Sequence, residues 1–260
     1  MRLLAVPIES LSHSIFDEGM AVLTSLDPVE AQRVLRFRYE DDRKRALAGR
    51  LLWRVVCNRD GLSSESLMFR RTVEGKPYVV VDGNYNFNVS HHGAWVVAIS
   101  DASRLVGVDI MRYDEPTRGR ETFFESMRAQ FTEREWNEIG VDLKVFYRFW
   151  ALKESYIKAI GIGLGFNLQR ACFSTSSGHG LGRAIVEIDS VVQSSWEFFC
   201  TELDDFHCVA VARGPFAEAH WDFRSKPAQD EPPSRYSDDS GSLELKICVL
   251  AGDKLIEECC

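Results

Sequence analysis

The chain has 260 residues, 45% of them hydrophobic and 27% charged, and a formal net charge of −8. This is the balance of a soluble globular protein of one or two domains, long enough to bury a sizeable core. The acidic balance argues against wholesale nucleic-acid binding; no apolar run approaches the roughly 20 residues of a membrane span, and the N-terminal MRLLAVPIES turns polar too soon for a secretory signal.

In chain order, residues 3–8 alternate weakly and predict a strand. Residues 28–59 predict helix, with Val34, Leu35, Leu47, Leu51, Leu52, Val55 and Val56 at helical intervals and a break near 39–42. Asp27-Pro28 is its start signal, a capping acid followed by proline at the first helical position. Between residues 31 and 76 twelve basic residues face six acids, a local surplus of +6 on an acidic chain. Two readings stand: a solvated basic helix face, or a surface for a small polyanion or an acidic partner. Short β candidates follow at 67–71, 78–82, 87–90, 94–100 and 105–110, with Asp101-Ala102-Ser103 read as a hairpin loop.

The order of elements then repeats. Residues 123–131 and 132–139 predict helices, the second opened by the capping box Thr132 to Glu135. A long helix spans 142–160, and strands follow at 170–174, 184–188, 196–202 and 207–212. Helix-then-strands occurring twice predicts an α+β protein of two pseudo-twofold duplicated halves, 1–112 and 113–214, though no residue-level repeat is visible. Residues 225–242 (SKPAQDEPPSRYSDDSGS) have the composition of a disordered linker, and 243–258 reads as an appended strand or plain tail within a C-terminal stretch of 215–260. The seven cysteines show no C-x-x-C spacing, which argues against zinc and fits reduced thiols in a cytoplasmic setting. The terminal Cys259-Cys260 pair lacks a lipidation box.

Three segments carry chemistry. In FWALKESYIKAIGIGLG (149–165), Val145, Phe149, Leu152, Tyr156 and Ile160 form the core stripe, and Phe146, Trp150, Glu154 and Lys158 the line beside it. Glu154 and Lys158 therefore share a face one turn apart. They form either a plain Glu–Lys pair or a carboxylate for a divalent metal beside an ammonium for a phosphate. Gly161, Gly163 and Gly165 follow a helix rather than a strand, so they predict a glycine C-cap and loop, not a dinucleotide fingerprint. In VGVDIM (106–111), alternation puts Gly107, Asp109 and Met111 on one face. Asp109 either caps the next turn or joins Glu154 in a two-carboxylate magnesium site. In NFNVSHHG (86–93), Ser90 and His91 point to opposite faces and no G-x-S-x-G elbow exists, which argues against a Ser–His hydrolase. Asn88, Ser90 and His91 suit hydrogen bonding to a phosphate.

Together these segments resemble the signature of the surfactin-synthetase-type 4′-phosphopantetheinyl transferases. The match runs through Gly75-Lys76-Pro77, Asn86 to His91, Val106 to Ile110 and Trp150 to Lys158, with GRLLWRVV (49–56), RRTVEGKP (70–77), FTEREW (131–136) and AIGIGLGF (159–166) in the same order. It covers roughly residues 30–212 and resembles in particular the animal branch, the aminoadipate-semialdehyde dehydrogenase phosphopantetheinyl transferases. The resemblance implies a cytoplasmic monomer of two similar α+β halves with coenzyme A bound between them. The N-terminal half would supply nucleotide and phosphate contacts, the C-terminal half the metal and the catalytic helix. It implies transfer of phosphopantetheine from coenzyme A to a serine of apo acyl or peptidyl carrier protein domains, such as those of fatty-acid synthases and aminoadipate-type enzymes, with release of 3′,5′-ADP. A catalytically silent coenzyme A or carrier-protein binder is the alternative.

The same resemblance implies roles. Asp109, Glu154 and Lys158 are catalytic, with Asp109 and Glu154 holding Mg²⁺. Arg33, Arg36, Arg71, Gly75, Lys76, Asn88, Ser90, His91, Asp109, Lys153, Glu154 and Lys158 contact coenzyme A, and Glu154 accepts the serine proton. The sequence departs from the bacterial pattern at Met111, where a second acid is usual. His92 stands where the animal relatives carry glutamine, and is the candidate third metal ligand.

Overall fold

The computed structural model describes residues 2–63, 67–72, 74–81, 85–218 and 245–259. The expected linker at 225–242 lies outside the described residues. The N-terminal half contains strand β1 (Arg2–Pro7) and helices α1 (His13–Leu26), α2 (Pro28–Leu35) and α3 (Glu40–Arg59), then β2 (Met68–Arg71), β3 (Pro77–Val80), β4 (Asn86–His92) and β5 (Trp95–Asp101). The Asp27 start signal is as expected: its carboxylate accepts from the Glu30 N–H at 3.0 Å with Pro28 in the first turn. Helix α1 was not read from the sequence, although Ile15, Phe16, Met20, Leu23 and Leu26 recur at helical spacing and pack against the N-terminal core.

The second half holds β6 (Leu105–Arg112), α4 (Arg120–Met127), α5 (Glu133–Ile139), α6 (Leu143–Ile160), β7 (Ala171–Thr175), β8 (Gly182–Ile188), β9 (Val191–Val192), β10 (Glu197–Asp204) and β11 (His207–Gly214). The Thr132 capping box forms in both directions, Glu135 N–H to Thr132 Oγ1 and Thr132 N–H to the Glu135 carboxylate. Helix α6 starts at the Asp142 side chain, which accepts from Lys144 and Val145 N–H, and stops at Gly161, whose φ of 79° is the left-handed cap.

The result is an α+β fold with two sheet-rich halves. With β12 (Lys246–Val249) from the tail, one sheet runs β12-β1-β5-β4 and the other β6-β11-β10-β8-β7, with β9 added to β8 and the β2-β3 hairpin standing apart. Helix α3 packs on the first sheet and α6 on the second. The expected stripe of α6 is buried throughout, at 5% exposure or less for Val145, Phe149, Leu152, Tyr156 and Ile160. Of the two readings of the tail, the appended strand is the one that forms: β12 pairs parallel with β1 and α7 (Gly252–Glu257) follows, so the tail completes the N-terminal sheet. Two features differ from expectation. Strand β6 joins the second sheet, so the two halves divide before Leu105 and not at residue 112. The turn at 101–103 is not a hairpin: β5 pairs with β1 and β4, while β6 pairs with β11. Asp101 closes that turn by accepting from the Ser103 and Arg104 N–H groups, and the chain crosses from one sheet to the other.

The halves also share a device that the sequence did not display. Glu30 and Glu135 each follow a helix-capping residue by three, and each is buried against a cation at the eleventh position of the next long helix, Arg50 and Lys153 respectively.

Candidate active site

Strand β4 lines up Asn86, Asn88, Ser90 and His92 on one face while its backbone pairs with β5. Each of these side chains accepts from a backbone N–H of β6. Val106 donates to Asn86 Oδ1 at 3.0 Å, Val108 to Asn88 Oδ1 at 2.9 Å, Ile110 to Ser90 Oγ at 3.4 Å and Arg112 to His92 Nδ1 at 2.9 Å. A side-chain ladder thus joins the two sheets and satisfies the donors of the β6 edge that β11 does not reach. Asn88 is part of this seam, so it reaches a phosphate only through its Nδ2 donors.

Helix α6 lies across β6 at Gly107. A Cβ on Gly107 would stand 1.9 Å from the Ser155 carbonyl oxygen and 2.6 Å from the Ala159 nitrogen, so only glycine permits this approach. The contact lowers the Glu154–Lys158 face onto Asp109, two residues along the same face of the strand. Asp109 is buried at 4% exposure. Its Oδ1 accepts from Ser90 Oγ at 2.9 Å and from Lys158 Nζ at 2.5 Å, and Lys158 also donates to Ser90 Oγ at 2.8 Å. Its Oδ2 is buried with no hydrogen-bond partner among the described residues. Burial and the neighbouring Asp109 charge push the Glu154 carboxyl above its usual range, with Lys158 opposing. Asp109, Ser90, Glu154 and Lys158 are thereby brought together as expected.

Of the two histidines, His91 lies beside this cluster. Desolvation, then the charges of Lys158 and Arg45, push its imidazole below the usual range, which favours the neutral form at neutral pH. His92 accepts at Nδ1 from Arg112, so its proton sits on Nε2, 3.5 Å from Asp114 Oδ2. A nitrogen in that state offers no lone pair to a cation. Met111 is on the expected face and supplies no ligand oxygen.

A cavity of about 310 Å³ opens in the N-terminal half, lined by Asp27, Glu30, Arg33, Trp53, Phe69, Arg70 and Arg71. Burial would raise the Glu30 carboxyl, but Arg71, Arg50 and Arg33 together hold it below its usual range. Three guanidiniums on one carboxylate leave a positive surplus. Trp53 and Phe69 stack at 5.3 Å, and Arg71 lies over the Trp53 ring. Cations beside an aromatic wall suit a phosphorylated ring compound. Arg33 and Arg71 were expected here; Glu30, Trp53 and Phe69 were not, and the one signal in the sequence was Glu30 three residues after the capping Asp27. Arg36 sits exposed on the turn after α2, outside the cavity lining. Gly75 accepts at its carbonyl from Arg71 at 3.1 Å, which holds the turn between β2 and β3 against that guanidinium.

Two lysines are placed differently from expectation. Lys153 is fully buried: its Nζ donates to Leu168 O at 2.8 Å and Ala171 O at 2.5 Å, and pairs with Glu135 at 2.9 Å. Three protons meet three acceptors inside the C-terminal half, so Lys153 has none for a coenzyme. Lys76 points inward as well. Its Nζ donates to Ala159 O at 2.9 Å, tying the β2–β3 turn to the last turn of α6, and burial pushes its ammonium down to about 7. Only the backbone of Lys76 is left to face a ligand.

A fold of two sheet-rich halves that carries an acid–lysine cluster and an arginine-lined cavity has counterparts among known proteins. Residues 15–103 match the family described as 4′-phosphopantetheinyl transferase, N-terminal, and residues 105–212 match the 4′-phosphopantetheinyl transferase superfamily. The chain belongs to the 4′-phosphopantetheinyl transferase superfamily. Among its relatives, a phosphopantetheinyl transferase of a Thraustochytrium strain is 44% identical over 72% of this chain and 69% of its own length. The L-aminoadipate-semialdehyde dehydrogenase-phosphopantetheinyl transferase of Mus musculus is 35% identical over 92% of this chain and 80% of its own. The 4′-phosphopantetheinyl transferase Sfp of Bacillus subtilis is 28% identical over 58% and 67%.

Proposed function

We propose that this chain transfers the 4′-phosphopantetheine group of coenzyme A to a serine hydroxyl of an apo carrier protein. The serine oxygen forms a bond to the pantetheine-side phosphorus, the P–O bond to the nucleotide breaks, and 3′,5′-ADP leaves. The observation that carries this reading is the unpartnered Asp109 Oδ2 beside Glu154 and Lys158, in a chain of this superfamily that also carries the arginine-lined cavity.

The donors present fit a hard divalent cation. Among the described residues no group of three His, Cys, Asp or Glu side chains is arranged for a metal. Mg²⁺, however, is commonly held by one or two carboxylates completed by water and substrate phosphate. Asp109 and Glu154 are those carboxylates, one with an unpartnered oxygen and one whose carboxyl is pushed above its usual range by burial and then by the other's charge. When bound there, Mg²⁺ neutralises charge on the pyrophosphate. His92 is less suited to complete the set, because Arg112 already occupies its Nδ1.

The protein's own groups do the rest. Arg33 and Arg71, with the Trp53–Phe69 wall, bind the nucleotide end; His91 and the Asn88 amide contact phosphates. Lys158 donates to the phosphoryl oxygens during transfer. Glu154, whose raised pKa suits a base, accepts the serine proton directly or through water. Coordination to a cation would lower that basicity, so Glu154 serves better as base when Asp109 carries most of the metal ligation. The N-terminal half thus holds the coenzyme and the C-terminal half brings the catalytic helix. The reading extends to a monomer acting in the cytoplasm on carrier domains of fatty-acid synthases or aminoadipate-type enzymes. Among the described residues no helix is long and apolar enough to cross a membrane.

The test is Glu154→Gln and Asp109→Asn, with carrier modification and coenzyme A binding measured on each. Modification falls by more than about a hundredfold while calorimetric coenzyme A binding persists, in line with loss of a transition-state contact. Wild-type rates in either variant would refute the assignment.

A further inference from the structure

Lys158 is engaged within the carboxylate cluster itself. It spans Ser90 Oγ and Asp109 Oδ1, at 2.8 and 2.5 Å, and its charge is felt at Glu154. The ammonium therefore compensates both carboxylates of the cluster. A divalent cation taking Asp109 Oδ2 would share one carboxylate with this ammonium. Two like charges that close repel strongly in a partly buried site. The carboxylate pair cannot hold both cations at low cost.

We propose that Lys158 is a resident counter-cation, which competes with the divalent metal for Asp109 and Glu154 until a coenzyme A phosphate draws it away. The inference rests on the two-carboxylate metal reading above. It has a definite consequence: metal and coenzyme A bind in a coupled fashion, because the phosphate that receives Lys158 also frees the carboxylates. Without coenzyme A the protein binds the metal weakly, and the pair Asp109–Lys158 keeps an otherwise uncompensated buried carboxylate neutralised. Ser90 is the pivot. It is fixed by the Ile110 N–H and contacts both members of the pair, so Lys158 can move without releasing Asp109 from the seam.

The test is the binding of Mn²⁺ alone to the full chain, read from the electron paramagnetic resonance of the free ion, first without and then with coenzyme A. Lys158→Gln is expected to tighten Mn²⁺ binding at least tenfold in the absence of coenzyme A. Lys158→Arg, which keeps the charge, is expected to match the wild type and guards against misfolding of the first variant. Arg45→Gln removes a cation felt at His91 but bonded to Gly93 O and Asp42, not to Asp109. It is expected to change the affinity less than threefold. Because Lys158 has left the carboxylates once coenzyme A is bound, the loaded forms are expected to bind Mn²⁺ alike, so the tightening of Mn²⁺ by coenzyme A shrinks in Lys158→Gln by about the factor that its unaided affinity rises. No gain in Lys158→Gln, an equal gain in Arg45→Gln, or an equal gain in Lys158→Arg would overturn the proposal. Mn²⁺ binding unchanged in Asp109→Asn would instead sink the metal reading on which it stands.

Discussion

Gly107→Ala is the most searching structural perturbation of the site. The added methyl carbon would lie 1.9 Å from the Ser155 carbonyl oxygen, 2.6 Å from the Ala159 nitrogen and 3.0 Å from the Ala159 Cα. All three are backbone atoms of α6, so no side chain can turn aside. Ordinary contact requires the helix to retreat from β6 by about 1 Å or more. Overpacking of this kind costs about 3 kcal/mol, near the upper end for such changes, which for a chain this long lowers the melting temperature by about 6–12 °C. The chemical cost is separate. The retreat lifts Lys158 and Glu154 away from Asp109, and a misplacement of about 1 Å costs on the order of a hundredfold in rate. Thermal unfolding by circular dichroism and a steady-state carrier-modification assay below the melting temperature read the two effects independently. A variant with wild-type melting and wild-type kcat would refute the argument that the glycine sets the depth of α6 and thereby the site.

Three further outcomes follow from the geometry. Arg33→Ala is expected to raise the KM for coenzyme A by about tenfold with a smaller change in kcat, since Arg33 lines the cavity and not the carboxylate cluster; the reverse pattern would remove it from the binding set. Lys153→Met leaves the Glu135 charge buried without its counter-ion, and is expected to cost about 3–5 kcal/mol while the coenzyme A KM stays within about twofold; pairing it with Glu135→Gln, which removes the charge but keeps an acceptor for the Thr132 and Phe173 N–H groups, should recover part of that loss, and a raised KM without lost stability would return Lys153 to the ligand site. Lys76 has a folded pKa of about 7 against a usual value of 10.5, so between those values the unfolded chain binds one proton more and stability from this group rises with pH. Lys76→Met is thus expected to lose ground to the wild type from about pH 7 to about pH 9, by up to about 1.4 kcal/mol per pH unit in denaturant titrations; a constant difference would show that the lysine does not titrate there.

The carboxylate–lysine cluster was legible because two local periodicities define it. Spacing of four on a helix puts Glu154 and Lys158 on one face, and spacing of two on a strand puts Gly107 and Asp109 on one face. The long helix, its Asp142 and Gly161 ends and the Thr132 capping box were legible for the same reason. What stayed hidden depends on contacts distant in sequence. The roles of Asn86, Asn88, Ser90 and His92 as a ladder to β6 require knowing that β6 leaves β5 for β11, and the Asp101 turn looks identical in a hairpin. Lys153 and Lys76 are read as ligand cations from their motif, yet Glu135 and the Ala159 carbonyl claim them, because a buried ammonium must find acceptors nearby. Similarly, Glu30, Trp53 and Phe69 converge from α2, α3 and β2, and no spacing reports that. The strand β12 was visible only as a hint, since an edge strand with two exposed residues in four carries a faint pattern.

The most direct test of the central claim is mass spectrometry of an apo acyl carrier protein incubated with this protein, coenzyme A and Mg²⁺. The account predicts that the carrier gains the mass of one phosphopantetheine on its serine, that 3′,5′-ADP appears in equal amount, and that EDTA prevents both. An unmodified carrier across several unrelated apo substrates, with coenzyme A measurably bound, would contradict it and leave a silent coenzyme A binder.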